Sequence, residues 1–238
     1  MNIRYTVFAA ALLSAAVVAV PASAQVSGIA TADAAVAVAR TKALGQAYQQ
    51  IGTQYAAATQ QMQAKRKEIN DINVQLDTNK DKELTQVELD AAIKAKNPLL
   101  TQIDAKQKEM TQLQEPIVTA QLFVVESIAM KYAAAQQAVI TAKKVNLILS
   151  PEAFVWAPDS VDVTSLITAE LDKTVPSAAI TPPANWRPSR QGAGLYQQIQ
   201  QLFENAARAQ AAQAQAAQPQ PGQTAVPAPK PAPQPDSR

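Results

Sequence analysis

LGQAYQQIGTQYAAATQQMQAKRKEINDINVQL, residues 44–76, decides the architecture. Within it Leu44, Tyr48, Ile51, Tyr55, Ala58, Met62, Lys65, Ile69, Ile72 and Leu76 recur by alternating steps of four and three, the a/d spacing of a coiled-coil seam. Only Lys65 interrupts the apolar row. No glycine occurs between Gly52 and Gly192, so no such flexible point interrupts the helix beyond Gly52. At ~1.5 Å per residue the stretch spans roughly 50 Å, longer than a small core needs, and it must project.

Working outward, the pattern breaks at Asp77–Glu88, a short amphipathic piece runs to Lys96, and Pro98 precedes a second long helix that begins at Leu99. Ile103, Lys106, Met110, Leu113, Ile117, Ala120 and Val124 repeat the seam, which predicts two helices of matched length facing each other. Pro116 removes one backbone hydrogen bond inside the return helix and predicts a kink. Past Val124 the apolar set widens to Val125, Ile128, Tyr132, Val139 and Ile140, as it should where a rod enters a packed body.

The flanks describe that body. Val26–Asp33 reads as a short β-like start, with Asp33 placed to cap a brief helix over Ala34–Val38. Val145–Leu149 reads as a strand and Phe154–Trp156 as another. Thr164 is an N-cap candidate for a helix whose apolar face is Leu166, Ile167 and Leu171, ending by Val175–Pro176. Short strands leave edges that proteins cover by pairing, so oligomerisation is expected. Pro182, Pro183, Pro188 and Gly192 mark an extended linker, Leu195–Gln215 is Ala/Gln-rich and weakly helical in type, and Gln218–Arg238 is a Pro/Ala/Gln repeat that cannot build a core.

Residues 1–24 read as a cleaved signal peptide: Arg4, then an apolar run from Phe8 to Val20, then Ala22-Ser23-Ala24 before Gln25. The run is shorter than the ~20 residues that cross a bilayer, and no second such run is expected in the chain. The mature chain is thus expected in the periplasm. The fold expected is α+β: a body from 25–38 and 125–175, small and β-rich, a coiled-coil hairpin over 39–124, and a linker and disordered tail over 176–238.

Composition removes whole classes of activity. The chain has neither Cys nor His, so it lacks disulfides, a thiolate nucleophile, an imidazole base and the usual zinc ligands. No Gly-rich phosphate loop is present. The chain is not read as an enzyme, and no cofactor is required. With Arg4 removed from the 21 Lys/Arg, 20 remain against 19 Asp/Glu, so neither nucleic acid nor a membrane surface is demanded as a partner.

The break at the tip holds one sharp motif. Asp77, Asn79, Asp81, Glu83, Thr85 and Glu88 occupy places 1, 3, 5, 7, 9 and 12 of an EF-hand-like calcium loop. Place six, where glycine makes the sharp turn, is Lys82. The loop is either a calcium site or an acidic turn with the same spacing.

Val145-Asn146-Leu147-Ile148-Leu149 followed by Val155-Trp156-Ala157-Pro158-Asp159-Ser160-Val161-Asp162-Val163-Thr164, behind a signal and a long hairpin, resembles the Skp/OmpH family of periplasmic chaperones over roughly Val26–Val175. The resemblance implies a homo-trimer whose hairpins enclose a cavity where unfolded outer-membrane proteins are held without ATP. The hairpin is less basic than in better-known members, carrying 14 Lys/Arg against 11 Asp/Glu over residues 39–150, and the Pro-rich tail is an addition. Tyr48, Tyr55, Met62, Met110 and Ile117 on the hairpin faces are the substrate-binding candidates. The competing reading is a coiled-coil envelope spacer or adaptor, calcium-responsive through the tip.

Overall fold

The computed structural model describes residues 28–216; the signal segment 1–24 and the repeat from Gln218 lie outside them. The elements are β1 (Ile29–Thr31), α1 (Ala34–Ala39), α2 (Lys42–Gln54), α3 (Ala56–Leu76), α4 (Gln86–Lys94), α5 (Pro98–Ala129), α6 (Tyr132–Lys143), β2 (Leu147–Leu149), α7 (Thr164–Thr174) and α8 (Arg190–Ala216), with single 3-10 turns at Pro151–Ala153 and Asp159–Val161.

The seam is the one the heptads predict. Between residues 56 and 71 only Ala58, Met62, Lys65 and Ile69 are shielded, and between 101 and 116 only Ile103, Lys106, Met110 and Leu113; every other residue in both stretches is exposed. α3 therefore packs on α5 along one line. The two seam lysines each find a carboxylate on the opposite helix, Lys65 with Glu109 and Lys106 with Glu68. The Glu109 hydrogen bond raises the Lys65 pKa, and the Lys106 hydrogen bond lowers that of Glu68. Such wet pairs add little stability, but two reciprocal pairs on one antiparallel seam fix its register.

Neither rod is uniform. α2 gives way to α3 at Tyr55, whose backbone leaves the helical region (φ −104°, ψ 20°) while its N–H still reaches Ile51 O at 2.9 Å. α5 continues through Pro116 as one helix, with the Gln112 carbonyl deprived of its usual donor.

The root of the hairpin is buried. Leu44 and Ile51 of α2 and Ala120, Val124, Val125 and Ile128 of α5 share one core with Val38 of α1, Val139 of α6, Ile167 and Leu171 of α7, and Ile199 of α8. The segment Pro98–Lys143 also holds an 18-residue window of mean hydropathy 1.3, a second run apolar enough to cross a membrane by composition and length. Its Val124, Val125 and Ile128 are fully buried in the body, but only 22% of the window is, so the core accounts for part of that apolarity.

The body is less β-rich than expected. β1 and β2 pair in parallel, Ile29 against Leu147 through Thr31 against Leu149, and one isolated bridge joins Thr31 to Asp162. Gly28 makes the entry: its φ is +101°, its carbonyl accepts from Asn146 and Leu147 N–H, and an added Cβ would lie 2.5 Å from Asn146 Nδ2. Phe154–Trp156 forms no strand. Pro151 and Pro158 bracket it and it pairs with no strand among the described residues, so its β-branched and aromatic composition did not suffice; Val155 and Trp156 stand in solvent.

Asp33 caps α1 as its position suggests, accepting from Val36 N–H at 2.9 Å. Thr164 does not cap α7. The Asp162 carboxylate accepts the Thr164 N–H at 2.8 Å, leaving the Thr164 hydroxyl to accept from Asp33 N–H at 3.0 Å. That bond, with Thr168 Oγ1 donating to Ala37 O and Lys42 N–H donating to Asp172, ties α7 along α1 and to the start of α2.

The tail reading needs the largest correction. Residues 190–216 form α8, which lies against α1 and α5 with Ile199 fully buried. Apolar residues at 195, 196, 199, 202 and 203 make a helical stripe that outweighs the weak Ala/Gln composition. Trp186, ahead of it, meets Phe123 edge to face at 5.3 Å.

Leu171→Ala should lower the unfolding free energy by about 2–5 kcal/mol, whereas Trp156→Ala should stay within about 0.5 kcal/mol; urea titration followed by circular dichroism checks both. Replacing Lys65 and Lys106 together by Leu should raise the melting temperature, because the glutamates left behind are half exposed and lose little. A fall in melting temperature would show that the reciprocal pairs outweigh apolar packing at the seam.

Candidate functional site

A two-helix seam has no third helix to close it, so its apolar residues stay half-buried with one edge wet. The candidates named from the sequence lie along that line at two heights. Met62 and Met110 sit in the middle of the rod, within about a turn of each other in the register that the lysine–glutamate pairs set. Tyr55 and Ile117 lie lower, against the body core. Tyr48 is lower still, and its ring meets Phe203 edge to face at 6.1 Å. Its hydroxyl takes a hydrogen bond from the Gln200 amide at 3.4 Å, and burial pushes its pKa well above the usual phenol range.

The remaining faces of α3 carry Gln60, Gln61, Gln63, Arg66 and Lys67, all exposed. An apolar ligand of the middle of the rod therefore has the seam's edges to touch and little else. At the tip Ile72, Leu76 and Ala92 make a second small core with Leu84, Leu99, Leu100 and Ile103, outside which Val74, Val87 and Ile93 are exposed.

The tip loop has a fully assigned hydrogen-bond pattern. Asp77 accepts from Lys80 N–H and Lys82 N–H at 2.7 and 2.8 Å. Lys80 and Lys82 both take positive φ, 60° and 75°, so lysine adopts the left-handed turn at place six that glycine would make without cost. Asn79 and Asp81 bond each other, and Asp81 also accepts from Glu83 N–H. Glu88 is buried, with one oxygen accepting from Thr78 N–H, Thr78 Oγ1 and Asn79 N–H and the other from Thr85 N–H and Thr85 Oγ1. These bonds hold the Glu88 pKa down at about 2. The Thr85–Glu88 exchange is also the capping box of α4. Among the described residues no three Asp, Glu, His or Cys side chains converge as a metal ligand set.

Beneath the first turns of α8 lies an open cleft of about 670 Å³, bordered by Glu126, Met130, Tyr132, Arg190, Gly194 and Leu195 among others. Tyr196 donates its hydroxyl to Gln121 at 2.8 Å, and Glu126 accepts from Ser189 N–H at 3.3 Å. Sequence reasoning passed over this surface, although the stripe Leu195, Tyr196, Ile199, Leu202, Phe203 carries the signal.

No curated protein matches the chain. A solved OmpH-like structure from Caulobacter crescentus CB15 is similar at 20% identity, covering 67% of this chain and 93% of that one, with a TM-score of 0.41. The family model described as Outer membrane protein (OmpH-like) matches residues 28–171, from the turn before β1 to Leu171 in α7 and so across the whole hairpin. By that match the chain belongs to the OmpH-like outer membrane protein family.

Proposed function

We propose that the chain is a periplasmic holdase, working without ATP, that shelters unfolded outer-membrane proteins beside its hairpins and keeps them from aggregating. The observation that carries this reading is the family match laid over a rod that projects from an anchored root. An unfolded barrel exposes alternating apolar residues, and covering them removes the surface on which chains would associate. A stripe of half-covered side chains, two of them the adaptable methionines Met62 and Met110, suits a ligand with no fixed shape.

A trimer, as the family implies, is part of the proposal. Leu147 on β2, Val155, Trp156 and Leu166 are exposed apolar residues on the body, 47%, 108%, 79% and 37% accessible, and a neighbouring copy would cover them. An envelope spacer would share the rod and would have no reason to hold clients.

The mature chain should suppress light scattering when a urea-unfolded outer-membrane barrel is diluted into buffer, saturating near one oligomer per client. Absence of suppression would favour the spacer. Met62→Lys with Met110→Lys should weaken client binding by about tenfold, with helix content unchanged by circular dichroism.

Calcium at the tip is the lesser proposal, since the cation would have to draw Glu88 away from five donors. A carboxylate whose folded pKa is depressed contributes stability above its ordinary value near 4.5 and loses it as pH falls toward 2. The Thr78, Asn79 and Thr85 amide resonances should titrate with a midpoint near 2, and Glu88→Gln should abolish that step. A rise in melting temperature with millimolar calcium, lost in Glu88→Gln, would establish a cation site instead.

A further inference from the structure

α8 lies outside the span that the family model matches, yet it packs on the root of the hairpin. It covers Tyr48, Gln121 and the α5 face at Glu126, while Trp186 ahead of it covers Phe123. Its docked face, Leu195, Tyr196, Ile199, Leu202 and Phe203, mixes aliphatic and aromatic side chains. That is the chemistry an unfolded barrel strand offers.

The attachment is confined to the first half of the helix. Among residues of α8 only Gly192 and Ile199 are buried, and the open cleft runs under its first turns. From Phe203 to Ala216 every residue is exposed. The connection from α7, residues 175–189, contains no helix or strand and four prolines, at 176, 182, 183 and 188, so α8 has a tether that carries no regular structure to unfold.

We propose that α8 is a resident competitor for client: it occupies the apolar side of the hairpin root in the empty protein and is displaced when an unfolded apolar segment binds there. This deepens the holdase reading and rests on it. A protein whose binding surface is open only part of the time shows its intrinsic affinity reduced by that fraction, so α8 sets the threshold for loading.

The absence of cysteine allows a clean test. A Cβ placed on Gly192 falls 3.2 Å from Glu126 Cγ, within reach of a disulfide between Gly192→Cys and Glu126→Cys. In the full mature chain the oxidised pair locks α8 down, while the reduced pair lacks the Glu126 carboxylate that Ser189 N–H uses. With a urea-unfolded outer-membrane barrel as client, the reduced form should suppress scattering at about one-tenth the concentration the oxidised form requires, with the unsubstituted chain between them. Equal potency of the oxidised and reduced forms, both active, would overturn the competitor role and leave the holdase reading standing. Inactivity of the unsubstituted chain and of both forms would overturn the holdase reading, and the competitor with it.

Discussion

A two-helix rod stands away from a body only if its foot is held. Here that constraint is met by one core, in which Leu44 and Ile51 from the outgoing helix and Val124, Val125 and Ile128 from the returning helix lie among Val38, Ile167 and Leu171. These large aliphatic side chains are almost fully removed from water, each worth about 1.5–3 kcal/mol against exposure. The rod above them buries little beyond its seam. Stability is therefore concentrated at the root, and the projecting part is free to carry polar faces and half-covered apolar edges.

The body is organised around that root. β1 comes before the hairpin and β2 after it, and their parallel pairing brings together segments that the rod separates by more than a hundred residues. α7 then clamps α1 and the start of α2 through Thr164, Thr168 and Asp172. The polar bonds orient, and the core supplies the cohesion.

The hairpin was legible in the sequence because a heptad is a direct record of which side chains meet. Each seam residue between 56 and 71, including the dissonant Lys65, lies where its spacing puts it. Asp33 was legible for the same local reason. Phe154–Trp156 misled because β-propensity describes fit to a neighbour, and no neighbour was there. Thr164 misled because a closer competitor, Asp162, took the capping bond. The motif at the tip has the spacing of a cation loop, while its hydrogen bonds show Glu88 as a staple between loop and helix, something spacing alone cannot distinguish. The docking of α8, read as only weakly helical, escaped because overall composition was weighed ahead of periodicity.

The two irregularities of the rod have a joint mechanical meaning. The register set by Lys65–Glu109 and Glu68–Lys106 puts Tyr55, where α2 yields to α3, within about a turn of Pro116, where α5 lacks a rung. Both members are thus softest in bending at one height, just above the foot. Sideways load on the far end acts through a lever of roughly 30 Å, the length of α3 at ~1.5 Å per residue. Tilt would be taken up at that shared waist, with the outer rod moving as a unit and its seam intact.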